Sequence, residues 1–159
     1  MSNPVVIDAA PGTSYADITR EFDAPAEAVF RAHADPELFV QWIGPRSLEN
    51  EVTHWDFRSG GGYRFVQTDA EGNVYAFRGV FHTVRENELI IQTFEYEGWA
   101  DAVSMDSIRF EDLGGGRSRI VDHSVFPSKE VLDDMIAEGM EKGMNEGYAK
   151  LDELLAAEG

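Results

Sequence analysis

The chain has no cysteine among its 159 residues. Disulfides, thiolate metal sites and thiol nucleophiles are thereby excluded, and a cytoplasmic setting is the default expectation. Basic residues are scarce: 13 lysines and arginines stand against 30 aspartates and glutamates, for a net charge of −17. No basic patch is available to neutralise phosphates, so nucleic acid is not an expected partner. Docking on anionic lipid is disfavoured for the same reason. Charge of this sign favours solubility through mutual repulsion. No run of eighteen apolar residues occurs, so no transmembrane helix is expected. The opening MSNPVVIDAAPGTSY has neither a basic start nor a long apolar run and does not read as a secretory signal. Internal repeats and low-complexity segments are also absent. The expected organisation is an N-terminal arm over residues 1–14 and a single domain over 15–159, large enough for a real core.

What the chain does have is a long amphipathic segment near its end. From Ser128, the available N-cap, to Glu158 there is no proline, and Leu132, Met135, Ile136, Met140, Met144, Tyr148, Leu151 and Leu155 form an apolar arc. Glu138, Glu141, Asn145 and Asp152 fall opposite, which predicts one helix of roughly 45 Å with a solvated back. Gly139, Gly143 and Gly147 recur at every fourth position inside it. Each costs about 1 kcal/mol relative to alanine, so a compensating role is expected. They line the buried side of the predicted helix. Either a neighbouring element packs directly on the glycine ridge, or the missing side chains leave room for a ligand with methionines as adaptable walls. For an apolar helical stripe, packing is the commoner outcome.

Tyr15 to Asp23 alternates as a first strand; Ala24-Pro25 and Asp35-Pro36 then start two short helices, the second ended by Gly44-Pro45. From Leu48 to Phe126, six strand-like runs are joined by short turns such as RSGGG, DAEGN and LGGG. Seven strands, two short helices and one long helix predict an α+β fold. A curved antiparallel sheet wraps the C-terminal helix, and the short helices lie between strands 1 and 2. Gly79, inside a strand, suits a bend or a close backbone approach. The strands are dense in aromatics, and a curled sheet facing a helix with three missing side chains is a geometry that encloses a cavity.

Five segments carry a family resemblance, in order: REFDAPAEAVFRAHADPELFVQWIGP (20–45), DFRSGGGYRF (56–65), DAEGNVYAFRGVFHTV (69–84), LIIQTFEYEG (89–98) and GMEKGMNEGYAKLDELL (139–155). Together they resemble the START-like, or Bet v 1-like (SRPBCC), helix-grip superfamily. More narrowly they are similar to the bacterial proteins related to activators of the heat-shock protein 90 ATPase, often grouped with polyketide cyclases. The resemblance implies a deep pocket for an apolar or amphipathic small molecule but no particular reaction. One departure stands out: many relatives carry tryptophan where this chain has Tyr148, whose hydroxyl needs a partner if buried.

The residues expected at such a pocket are Trp55, Phe65, Gln67, Phe77, Phe81, Gln92, Phe94, Trp99, Met105, Met140, Gly143, Met144 and Tyr148. Arg64 and His123 are further polar groups expected to reach it. For catalysis the candidates are His123 and Gln92, with Glu51 as another acid/base group. For each histidine the plainer reading is a solvated or hydrogen-bonded side chain. Asp56 and Arg58 share a strand face and predict a structural ion pair. The four histidines, His33, His54, His82 and His123, show no metal-ligand spacing, so neither a metal nor a cofactor is expected. No nucleophile elbow, phosphate loop or dinucleotide fingerprint occurs.

Three functions follow as alternatives: a small-molecule-binding protein, a cyclase, dehydratase or hydrolase using the same pocket, and a chaperone-activating or other protein-interaction module. A monomer or a homodimer would suit each.

Overall fold

A computed structural model describes residues 3–158 of the chain. Eight strands form one antiparallel sheet: β1 (Val6–Asp8), β2 (Tyr15–Phe22), β3 (Glu49–Trp55), β4 (Gly62–Thr68), β5 (Val74–Arg85), β6 (Leu89–Tyr96), β7 (Ser104–Gly114) and β8 (Arg117–Val125). Their order across the sheet is β1-β2-β8-β7-β6-β5-β4-β3. Helices α1 (Ala26–Ala34) and α2 (Pro36–Trp42) lie between β2 and β3, while α3 (Lys129–Ala137) and α4 (Met140–Glu158) close the chain. The architecture is the expected α+β helix-grip, with one strand more than predicted. The additional strand lies in the N-terminal arm, where Val6 pairs with Thr19 and Asp8 with Asp17. Residues 1 and 2 of that arm lie outside the described residues.

Alternation sets the inner face of the sheet. On β2, Ala16, Ile18, Arg20 and Phe22 are buried while their neighbours are more exposed. The same period runs through β4 and β8, so successive inward residues line one concave surface. Bulges between Val52 and His54, and between Phe81 and Thr83, interrupt the ladders and increase the local twist. At Gly79 a side chain would meet the Thr93 carbonyl and the Tyr63 ring, so backbone and ring approach closely there. The Asp56–Arg58 pair forms at 3.0 Å beside the β3–β4 turn.

Helices α1 and α2 interlock through their ends. The Asp35 carboxylate accepts from Glu37 N at 2.9 Å and Pro36 follows at the first helical position, which starts α2. The last carbonyls of α1 lack helical partners. Two indoles supply them: Trp42 Nε1 donates to Ala32 O at 2.9 Å and Trp55 Nε1 to Ala34 O at 2.8 Å.

The expected single terminal helix is two helices. Ser128 does cap the start, its hydroxyl accepting from Val131 N. At Gly139, however, the backbone turns left-handed at φ +97, which ends α3 and redirects the chain into α4. α3 covers a small core of Val5, Ile18 and Phe126 with Leu132. α4 spans roughly 28 Å and buries Leu151 and Leu155 in the main core beside Phe22 and Val29. Its expected solvated back also needs correction. Asn145 accepts from Val5 N at 3.0 Å, and Asp152 binds the buried Arg20 through two hydrogen bonds of 2.7 and 2.6 Å. No helix among the described residues is long and apolar enough to cross a membrane.

Arg20 is 2% exposed and its guanidinium also stacks against the rings of Phe22 and Tyr148. Removing one member of such a pair leaves the other without its partner. Arg20→Ala should therefore lower the free energy of unfolding by about 3–5 kcal/mol. The joint change Arg20→Met with Asp152→Leu should recover most of that loss. Urea unfolding of the three proteins measures both effects.

Candidate functional site

Between the concave sheet and the N-terminal half of α4 lies a cavity of about 510 Å³, within the size range of small-molecule sites. From β3 and β4 it receives Trp55, Phe65 and Gln67, from β5 Phe77 and Phe81, and from β6 Gln92 and Phe94. Met140, Gly143, Met144 and Tyr148 line it from α4. Trp99, in a 3-10 turn over Glu97–Trp99, and the exposed Glu138 and Gly139 mark its mouth.

The three glycines have three different environments. Gly139 is exposed and serves the break between helices. A Cβ on Gly147 would press on Trp42 O at 3.1 Å and on Gly44 N at 3.3 Å, so α4 packs there directly on the backbone that follows α2. A Cβ on Gly143 would meet nothing within 4 Å. Gly143 alone of the three combines helical backbone with open space, and that space is the cavity.

Several expected residues lie elsewhere. Met105 and His123 occupy the outer face of the sheet; Met105 is 44% exposed and His123 Nδ1 lies 2.7 Å from Asp17 Oδ1. The cause is parity, since one residue along a strand reverses the direction of a side chain. The inward set is Ser104, Asp106, Ile108 and Phe110 on β7, and Ser118, Ile120, Asp122 and Ser124 on β8. Arg64 likewise points outward, to Glu97 at 2.7 Å, and Glu51 is exposed. Of the two catalytic candidates, only Gln92 lines the cavity.

The same parity brings in two acids that the sequence reading did not name. Asp106 and Asp122 are diagonal neighbours, Asp106 standing opposite Ser124 and Asp122 opposite Ile108. Both line the cavity. Asp122 is buried, and burial followed by the neighbouring Asp106 charge raises its pKa well above the usual carboxylate range. Burial also raises Asp106, against the lowering effect of hydrogen bonds to Ser124 and Asp122. A carboxyl drawn out of water favours its neutral form, and an ionised neighbour strengthens that preference. Asp122 Oδ1 is left without a hydrogen-bond partner. Tyr148 lies within electrostatic reach; burial first, then Asp122 and Asp106, raise its pKa and keep the phenol neutral.

His33 borders the cavity from α1, packed on Trp42 and Phe110. Burial lowers its pKa to about 4, and the neutral ring directs its Nδ1–H to Val29 O at 2.8 Å. Among the described residues no three potential ligands stand together as a metal site.

A family model described as Activator of Hsp90 ATPase homolog 1-like protein matches residues 23–156, and the chain belongs to that family. No curated protein matches it. Among solved structures, a protein of Mycobacterium smegmatis is 26% identical, with a TM-score of 0.84 over 96% of this chain and 97% of that one. A protein of Arthrobacter aurescens is 25% identical, with a TM-score of 0.86 over 96% and 91%. One from Rhodobacter sphaeroides, 23% identical, shares the fold with a TM-score of 0.88 over 97% and 99%. Family and fold are consistent with a ligand-binding domain of the SRPBCC superfamily.

Two pH effects follow from the buried groups. Because the fold favours protonated Asp122, its contribution is most favourable below the ordinary aspartate value of 3.8 and declines as pH rises from there. Asp122→Asn should therefore stabilise the protein near neutral pH by on the order of 1–2 kcal/mol, the gain shrinking toward pH 4. His33 acts with the opposite sign. Its folded value of about 4 lies below the ordinary 6.5, so stability is lost as pH falls through that interval, by up to about 3 kcal/mol. His33→Asn, which keeps an N–H donor, should flatten that slope. Urea unfolding across pH 4 to pH 7.5 reads both.

Proposed function

We propose that this member of the Activator of Hsp90 ATPase homolog 1-like family holds an apolar or amphipathic small molecule between its curved sheet and α4. The observation that carries the reading is Gly143, a helical residue whose missing side chain would meet nothing within 4 Å beyond its own stretch of helix, on a cavity of about 510 Å³. A glycine inside a helix costs about 1 kcal/mol relative to alanine. Where nothing packs against it, the vacant volume itself is the feature that the cost accompanies. Aromatic rings on the sheet and the flexible thioethers of Met140 and Met144 surround that volume, a lining suited to apolar groups of varied shape. Gln67, Gln92 and the Asp106–Asp122 pair provide the few polar groups that would orient a ligand.

An enzyme acting on the bound molecule is the second reading, favoured by one observation: two neighbouring carboxyls, both raised by burial, line the cavity. A general acid or base needs a titratable group in a dry site. The outer-face His123 does not meet that requirement, and the carboxamide of Gln92 does not titrate. Asp106 and Asp122 would carry any acid–base step.

Gly143→Leu tests the binding reading. Leucine suits a helix better than glycine, so the variant should be as stable as the parent or more stable by up to about 1 kcal/mol. Its side chain should fill the cavity and weaken binding of the neutral fluorophore N-phenyl-1-naphthylamine by about ten-fold or more, equivalent to about 1.4 kcal/mol. Unchanged affinity in a folded variant would remove the cavity from the account.

A further inference from the structure

We propose that the ligand of this cavity carries a cationic head, a protonated amine, which binds against Asp106 and Asp122. The inference rests on the cavity reading above and specifies the chemistry of its occupant.

The first observation is the supply of charge. Each ionised carboxylate accepts hydrogen bonds and donates none. Burial raises both acids, Asp122 further than Asp106, so Asp106 is the member that ionises first and puts a negative charge in the cavity wall. Among the described residues no cation answers it. Both terminal nitrogens of Arg20 are held, by Asp152 and by Glu21 O. His33, which borders the cavity from α1, is neutral because burial depresses its pKa to about 4. Tyr148 is also neutral, held so by burial. The remaining charged group acting on Asp122 is Asp17, across the sheet, which adds repulsion.

The second observation is an unfilled acceptor. Asp122 is 8% exposed and its Oδ1 has no partner among the described residues. Two nearby hydroxyls have partners, while the Gln92 carboxamide stands opposite Asp106 on β6 and lines the same cavity. Ser124 hydrogen-bonds Asp106, and Ser104 Oγ donates to Phe94 O at 3.4 Å. An unpartnered, buried carboxylate oxygen beside a ligand-sized cavity calls for a donor from outside the chain.

The third observation is the nature of the walls. The rings of Trp42 and Tyr148 stack with centroids 5.8 Å apart, those of Phe77 and Phe94 with centroids 5.4 Å apart, and all four line the cavity. Aromatic faces attract cations as well as apolar groups. A neutral alcohol would satisfy Oδ1 but leave the charge of the pair uncompensated. A carboxylate would add a like charge. A protonated amine supplies both donor and countercharge, while its hydrocarbon part occupies the space beside Gly143.

The test compares dodecylamine, dodecanol and dodecanoate as displacers of N-phenyl-1-naphthylamine from the full chain. Near pH 7.5 the amine is protonated, as lysine is. About 0.3 M salt screens the general attraction of an acidic surface. The parent protein should prefer dodecylamine to dodecanol by about ten-fold or more, the scale of a charged hydrogen bond, and should bind dodecanoate most weakly. In the double variant Asp106→Asn with Asp122→Asn, which removes the charge of the pair, the amine-to-alcohol ratio should fall to within about two-fold. Comparable binding of amine and alcohol by the parent overturns the proposal. So does a ratio that persists in the double variant. If the fluorophore does not bind the parent at all, the cavity reading itself fails, and this inference fails with it.

Discussion

The buried pair of Arg20 and Asp152 fixes how the last helix lies on the sheet. Arg20 projects inward from β2, almost wholly out of solvent, and grips Asp152 through both terminal nitrogens. Its guanidinium also lies over Phe22 and near the ring of Tyr148. Beside Asp152 on α4, Leu151 and Leu155 enter the core with Phe22, Val29 and Ile120. The C-terminal half of α4 is thus fastened by charge and by apolar burial together. The N-terminal half has no comparable anchor to the sheet, and the space left beneath it is the cavity.

Three glycines then divide the work along the terminal segment. Gly139 permits a left-handed turn, which lets α3 cover the small core around Ile18 and Phe126 while α4 serves the larger one. Gly147 lets α4 touch the backbone between Trp42 and Gly44. Gly143 lies between these positions with nothing against it. Direct packing and an open volume, which looked like rival explanations of one ridge, hold at neighbouring turns. Trp42 joins the two regions, since it stacks on Tyr148 and donates to the end of α1.

Much of this was legible in the residues. The Asp35-Pro36 start of α2, the turns of the meander and the aromatic lining on β3 to β6 all follow from local patterns. The break at Gly139 was harder to read, because an apolar arc continues through Met135 and Met140 whether or not the helix bends. The direction of β7 and β8 was harder still. Val121 and Val125 share one face with His123, while Ile120 and Phe126 share the other with Asp122. Composition therefore does not choose between the faces; pairing with β2 and β6 does. That ambiguity hid Asp106 and Asp122 and brought forward Met105 and His123. Arg20 was obscured by its charge, although its parity with Ala16, Ile18 and Phe22 matches a buried position.

The acid pair and Gly143 share a physical character: both carry a stability cost that the folded chain does not offset within itself. A carboxyl pair in an apolar site and a glycine over empty volume are the kinds of feature that functional sites retain. All of this depends on the volume beside Gly143 being open and apolar. Crystals of the protein pressurised with xenon measure that directly, because dry apolar cavities take up the gas. The account predicts xenon density between Gly143 and the rings of Phe77 and Phe94. A structure without xenon there, in which Met140, Met144 and Tyr148 fill the space, would contradict it.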